Sequence, residues 1–126
     1  MSPELEAKLV AKYPLILISC REVAVSDGWY NLLDLLLGMI QSHIDCQKKY
    51  NNITVPQVHA VQIKEKFGGL RFYCNGGDER TSAYVSFAGA LSETVCERCG
   101  HPGSLRAVHN WMRVRCEACE TVNDQK

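Results

Sequence analysis

Neither sign of charge is in excess in this chain of 126 residues: 14 basic side chains balance 14 acidic ones. A nucleic-acid coat or a polybasic membrane binder is normally lopsided, so the balance argues against both. Also missing is any apolar run approaching the ~20 residues that a bilayer-spanning helix requires. Nor is a secretory segment expected. Leu17-Ile18-Ser19-Cys20 loosely resembles a lipoprotein cleavage box. The apolar stretch Leu15 to Ile18 is shorter than the ~7–15 residues of a signal core, and Glu4 and Glu6 lie among the basic residues upstream. The expectation is a cytoplasmic protein that does not engage a membrane. Repeats and low-complexity tracts are absent, and Gly68-Gly69 and Gly76-Gly77 lack the strand-to-helix setting of a phosphate-binding loop.

What is present is a composition of 46% hydrophobic and 22% charged residues, ordinary for a folded globular domain. The length suits one compact domain, or a small domain with a metal-held appendage.

Seven cysteines are many for this length. In a reducing compartment, clustered Cys pairs are more often metal ligands than disulfides. Four of them form two pairs, Cys96-x-x-Cys99 and Cys116-x-x-Cys119, with sixteen residues between the pairs. Two intervening residues let both sulfurs of a pair reach one tetrahedral ion, and sixteen allow a short hairpin that returns the second pair to it. The spacing predicts one structural zinc ion per chain, held by four thiolates. Gly100 fits a knuckle position that needs a left-handed backbone. Glu120 stands at the matching place in the second knuckle, so that turn must differ or be strained. His101 and His109 lie close by, as alternative ligands or as surface groups.

Before the ribbon, Pro3 to Lys12 reads as a short helix stopped by Pro14. Leu15 to Val25 is ambiguous between strand and helix. Ser26 and Asp27 are a plausible cap for a long helix from about Trp29 to Lys48. Its apolar residues recur at three and four, and Leu35 and Met39 widen the stripe. Val58 to Phe67, Gly68-Gly69 and Leu70 to Cys74 read as a β-hairpin with the two glycines as its turn. In that register Phe67 faces Leu70 and Glu65 faces Phe72. Glu79 to Val95 reads as a further helix, with Tyr84, Phe87, Ala88 and Leu91 at helical spacing.

The fold class is therefore α+β: a long apolar helix packed on an antiparallel β-hairpin, with a C-terminal four-cysteine zinc ribbon. Residues 1–95 form the compact domain, 96–119 the ribbon packed on it, and 120–126 a frayed tail.

Two surfaces are candidates for contact. The outer hairpin face carries Lys64, Lys66, Arg71 and Tyr73, with Lys66 across from Arg71 and Lys64 across from Tyr73. No hairpin carboxylate interrupts this strip, which suits an acidic protein surface or single-stranded nucleic acid. In the ribbon, four arginines stand against two glutamates, a formal +2. Four thiolates with one zinc ion offset that to about zero. Trp111 among these arginines either covers the ribbon's small core or stacks on a base. Cys20, Cys46 and Cys74 could pair with His43 or His59 as nucleophile and base, but no motif accompanies them. A non-catalytic protein is expected.

The run Val61-Gln62-Ile63-Lys64-Glu65-Lys66-Phe67-Gly68-Gly69-Leu70-Arg71-Phe72-Tyr73 resembles the signature of small proteins encoded by bacteriophages and prophages. Asp27-Gly28-Trp29-Tyr30 and Cys96 to Gly100 with Pro102-Gly103 are similar to two further stretches of that family, in the same order. Some members end in Cys plus His where this chain has Cys116 and Cys119. The resemblance brings no activity with it. It implies a phage or prophage origin and a zinc-ended α+β fold, and from that origin a host protein as partner, such as a defence or transcription component. The alternative is a nucleic-acid-binding regulator using the ribbon and the basic hairpin.

Overall fold

The computed structural model describes residues 1–120; of the expected frayed tail 120–126, Glu120 is instead helical, and the rest lies outside the described residues. Ser2 opens helix α1 (Pro3–Lys12) by accepting the Leu5 N–H, and proline sits in the first turn, where its missing N–H costs nothing. Tyr13 ends α1, and its hydroxyl donates to the Asp34 carboxylate at 2.7 Å, tying the N-terminal segment to the long helix.

The ambiguous stretch divides in two. Pro14–Leu17 is a single helical turn, α2, which buries Ile16 and Leu17. Val23–Ala24 is a two-residue strand, β1, parallel to β2 (His59–Lys66). β2 pairs antiparallel with β3 (Gly69–Asn75), so the sheet order is β1-β2-β3. A two-residue strand has no periodicity to read, which is why the sequence reveals only the hairpin.

The hairpin register differs from expectation. Lys66 pairs with Gly69, Glu65 with Leu70, Lys64 with Arg71 and Ile63 with Phe72. The two-residue turn is Phe67-Gly68, both left-handed at φ 54° and 86°, and not Gly68-Gly69. Phe67 points away from the core, with 68% of its surface exposed. The glycine pair left two turns possible. In the observed turn Gly68 lies against the C-terminal ribbon, where a Cβ would overlap the Leu105 side chain. The Glu65 carboxylate also accepts the Gly68 N–H at 2.8 Å. Because the slip moves each partner by two residues, side-chain parity is kept. Ile63, Leu70 and Phe72 still face the core, and Lys64, Lys66, Arg71 and Tyr73 still share the other face. Gly68→Ala is expected to cost about 2–3 kcal/mol, combining an unfavourable φ with that overlap. Gly69→Ala should cost less, since its φ is not left-handed and a Cβ there meets only the mobile ends of Arg71 and Glu93. Thermal melts of the two variants give the comparison.

A 3-10 turn (Asp27–Trp29) leads into α3 (Tyr30–Asn51), the longest helix. Neither expected cap acts on it. Ser26 makes no side-chain cap bond, and the Asp27 carboxylate instead accepts the Ser2 N–H at 2.7 Å. Trp29, Leu33, Leu37 and Ile40 are fully buried and share one core with Val58, Ile63 and Phe72. Leu35 and Met39, on the widened part of the stripe, are exposed.

Helix α4 (Glu79–Ser92) starts at a capping box in which Asp78 and Thr81 satisfy each other's backbone N–H groups. The Asp78 carboxylate also meets the buried His43 imidazole at 2.8 Å, which holds that carboxyl below its ordinary value. At its other end, the Ser92 hydroxyl accepts the Leu70 N–H and so closes the outer edge of β3. Asp78→Ala should lower stability by about 2 kcal/mol, because cap and histidine partner are lost together. Asp78→Asn, which keeps the cap, should melt closer to the parent. No helix of the described residues is long and apolar enough to cross a membrane.

Candidate metal centre and the cleft beside it

Strands β4 (Ser104–Val108) and β5 (Trp111–Arg115) form the ribbon hairpin, closed by left-handed His109 and Asn110. This hairpin carries the first cysteine pair to the second. In the first knuckle the Cys96 N–H donates to the His101 carbonyl at 2.8 Å, and the Gly100 N–H returns to the Cys96 carbonyl at 2.9 Å. Gly100 is left-handed at φ 86°, as its place after the pair requires. The second knuckle differs. Cys116 precedes a four-residue helix, α5 (Glu117–Glu120), and the Glu120 N–H donates to the Cys116 carbonyl at 3.0 Å. A helical turn needs no left-handed residue, so glutamate is unstrained there.

The four sulfurs all lie within 4.8 Å of one another, and those of Cys99 and Cys116 are 3.5 Å apart. Sulfur atoms at about 2.3 Å from a common tetrahedral centre would be similarly spaced, so these cysteines are placed to hold a metal ion. Their acidities support this. Burial alone would raise the Cys96 thiol, but surrounding backbone N–H groups outweigh it and bring it down to about 6. Burial and hydrogen bonds from the other three cysteines push Cys119 up to about 12. Four anions cannot share so small a volume unless a cation joins them. His101 is not part of the cluster: its Nδ1 lies 3.2 Å from the Cys99 sulfur, where an N–H steadies a thiolate. His109 sits in the distal turn of the ribbon hairpin.

The knuckle is fastened to the start of α3 by contacts that sequence reasoning did not find. Gly28 donates its N–H to the Glu97 carbonyl at 2.7 Å, and its α-carbon sits against the Cys96 and Glu97 carbonyls with no space for a side chain. The indole N–H of the buried Trp29 reaches the Val95 carbonyl at 2.9 Å. The buried Glu97 carboxylate accepts the Ser26 N–H at 3.0 Å, and burial pushes that carboxyl up from its ordinary value. The one available signal was a glycine beside a tryptophan ahead of a helix. Two glycines thus mark where the C-terminal segment docks: the knuckle on Gly28 and the Leu105 side chain on Gly68.

Between hairpin and ribbon lies a cleft of about 570 Å3, walled by Arg98, Arg113, Arg115, Trp111 and the carboxylates of Glu65 and Glu97. Trp111 is 67% exposed and does not cover the ribbon core; Val114, fully buried, has that position. Of the hairpin strip, Lys66 and Tyr73 are exposed, while Lys64 and Arg71 are half-buried and face each other across the strands. Tyr73 lies opposite Gln62. A carboxylate from the end of α4 reaches the strip after all, since Glu93 and Arg71 approach the same point above Gly69.

The scattered thiols are not brought to a histidine base. His43 is engaged by Asp78, and His59 Nδ1 lies 3.0 Å from the Leu15 carbonyl. Cys20 donates to the Glu22 carbonyl, and burial raises the thiols of both Cys20 and Cys74. No protein-family model, curated protein or solved structure matches the chain.

Proposed function

We propose that this chain is a non-catalytic, zinc-stabilised binding module that attaches to a protein partner through the outer face and tip of its β-hairpin. All-sulfur tetrahedral ligation selects zinc among common cytoplasmic divalent ions, at one ion per chain. Four thiolates leave no coordination position open for water or substrate, so the metal's role is to fold the ribbon.

The observation that carries the reading is Phe67. A bulky aromatic at positive φ is unfavourable, and a two-residue primed turn is better served there by Asn or Gly. Within the chain its ring gains little beyond a Lys66 ammonium 5.6 Å from its centroid, and most of it stands in water. Such a residue is well suited to an external contact. Lys64, Lys66, Arg71 and Tyr73 alongside it supply cationic steering and two residue types common at binding hot spots. The phage-family resemblance points to a host protein, such as a defence or transcription component, in the host cytoplasm.

Two variants test this together. Phe67→Asn should raise thermal stability slightly, by about 0.5–1 kcal/mol, and yet weaken partner capture. Lys66→Glu with Tyr73→Ala, both at exposed positions, should abolish capture while leaving zinc content and melting temperature nearly unchanged. Binding that survives both would remove the hairpin from the contact surface.

The exposed Trp111 beside Arg98, Arg113 and Arg115 favours one second reading, single-stranded nucleic acid bound in the cleft. That reading requires steeply salt-dependent binding to random oligonucleotides, lost with Trp111→Ala and unaffected by Phe67→Asn.

A further inference from the structure

Helices α3 and α4 pack side by side and leave one shared face uncovered. From α3 this face takes the residues at i, i+3, i+4 and i+7 beginning at Leu32, and from α4 the same spacing beginning at Tyr84. Between the two rows runs an apolar groove of about 180 Å3. Leu35 is 70% exposed, Met39 50%, Phe87 69% and Leu91 38%. The lining contains no charge, and Arg80, one turn ahead of Tyr84, stands at the end of the row. From Thr81 to Ser92, α4 has not one ionisable acid or base apart from Tyr84, and the exposed line of α3 continues through Ser42 and Cys46. The one charged residue of α3 between Asn31 and Gln41, Asp34, is occupied by Lys12 and Tyr13.

A helix turned to solvent normally carries charged residues on its outer face, at roughly a quarter to a third of surface positions. A two-helix face without any is built to be covered. We propose that its occupant is a second copy of this chain, and that the protein is a dimer in which α3 and α4 of each copy form a four-helix layer.

Three features select a second copy over an unrelated partner. A face without charge offers no electrostatic recognition to a charged partner, whereas an identical uncharged face leaves no charge buried unpaired. The face also holds both halves of a fit, protruding Phe87 and Leu35 beside the groove, as a two-fold interface requires. A cavity of about 150 Å3 takes a benzene ring, so the groove is of a size to receive Phe87 from the other copy. Ala83, Ser86 and Ala90, small and exposed on α4, let helices approach closely. The area is sufficient as well. Leu35, Met39, Phe87 and Leu91 alone expose on the order of 450 Å2 per copy, so two copies contribute about 900 Å2, and Ala83, Ser86 and Ala90 bring the face to about the 1,000 Å2 that a specific interface needs. The face shares no residue with the hairpin strip, so dimerisation leaves the proposed partner surface available in two copies.

Light scattering coupled to size exclusion, on the zinc-loaded full chain from about 1 to 100 µM, should give twice the 14.1 kDa chain mass. Phe87→Glu and Leu35→Glu should each weaken the dimer by about 30-fold or more. Because both side chains are exposed, circular dichroism and metal content should not change. A parent that stays monomeric at 100 µM overturns the proposal, including the case where the groove instead takes an unrelated helix. So does a dimer whose mass is indifferent to both substitutions.

Discussion

Cys116→Ser should reduce bound metal from about one equivalent per chain to near zero and unfold the ribbon. The reason is how little else holds that segment. Between Ser104 and Arg115 only Val114 is fully buried, and every other side chain of the two strands is exposed or half-exposed. A two-stranded hairpin with so little core is marginal in water. Structural zinc contributes on the order of 10–16 kcal/mol in small domains of this kind, and without it they are commonly unfolded. Burial and the neighbouring thiols push the Cys119 thiol up while no cation is present. Metal binding must therefore displace protons, so affinity should fall as pH is lowered. Elemental analysis gives the metal ratio, and amide exchange across residues 104–115 gives the folding. Cys46→Ser, at an exposed position on α3 far along the chain from both knuckles, should retain metal and exchange like the parent. A ribbon that stays protected in Cys116→Ser would show that the metal is not what folds it.

The metal cluster was legible in the sequence because its geometry is local: two residues within each pair and a hairpin's length between pairs determine almost everything about it. The long helix was legible for the same kind of reason, its apolar residues recurring over several turns. The hairpin was half legible. Period-two alternation placed Lys64 and Arg71 on one face and Ile63 and Phe72 on the other, and that parity survived a wrong turn. The turn itself was not legible, because Gly68 belongs to both turns that the glycine pair allows. The same holds for the cap that did not act. Ser26 and Asp27 have the right side chains for capping, but Ser26 gives its N–H to Glu97 and Asp27 accepts from Ser2, both partners remote in sequence. Trp111 does not cover the ribbon core, because ribbon burial is settled by which strand face meets the domain, and Val114 takes that face. Phe87 and Leu91 were read at helical spacing on α4, yet spacing cannot say whether an apolar row is covered by its own chain.

Gly28→Ala should be among the most damaging single substitutions outside the metal ligands. Its effect would owe nothing to backbone preference, since Gly28 is not left-handed and alanine can adopt its conformation. Space is what fails. A Cβ at this position would overlap the Cys96 and Glu97 carbonyls, which are backbone atoms of the metal knuckle and cannot rotate away. To admit the methyl group the knuckle must lift from α3. That movement breaks the Gly28 N–H bond to the Glu97 carbonyl and strains those of Ser26 to Glu97 and of the Trp29 indole to Val95. Losing several buried hydrogen bonds together, with the packing around a fully buried tryptophan, should cost about 3–5 kcal/mol, or roughly 10–20 °C in melting temperature for a domain of this size. The four cysteines are untouched, so the bound-metal equivalent should persist, and this separates the variant from Cys116→Ser. Trp29 should become accessible to a neutral fluorescence quencher, where only Trp111 is accessible in the parent. Gly89→Ala is the control: its Cβ would lie 3.6 Å from the nearest carbonyl, an ordinary contact, and alanine favours a helix interior by up to about 1 kcal/mol. If Gly28→Ala melts within a few degrees of the parent with Trp29 still shielded, the ribbon is not docked through this glycine.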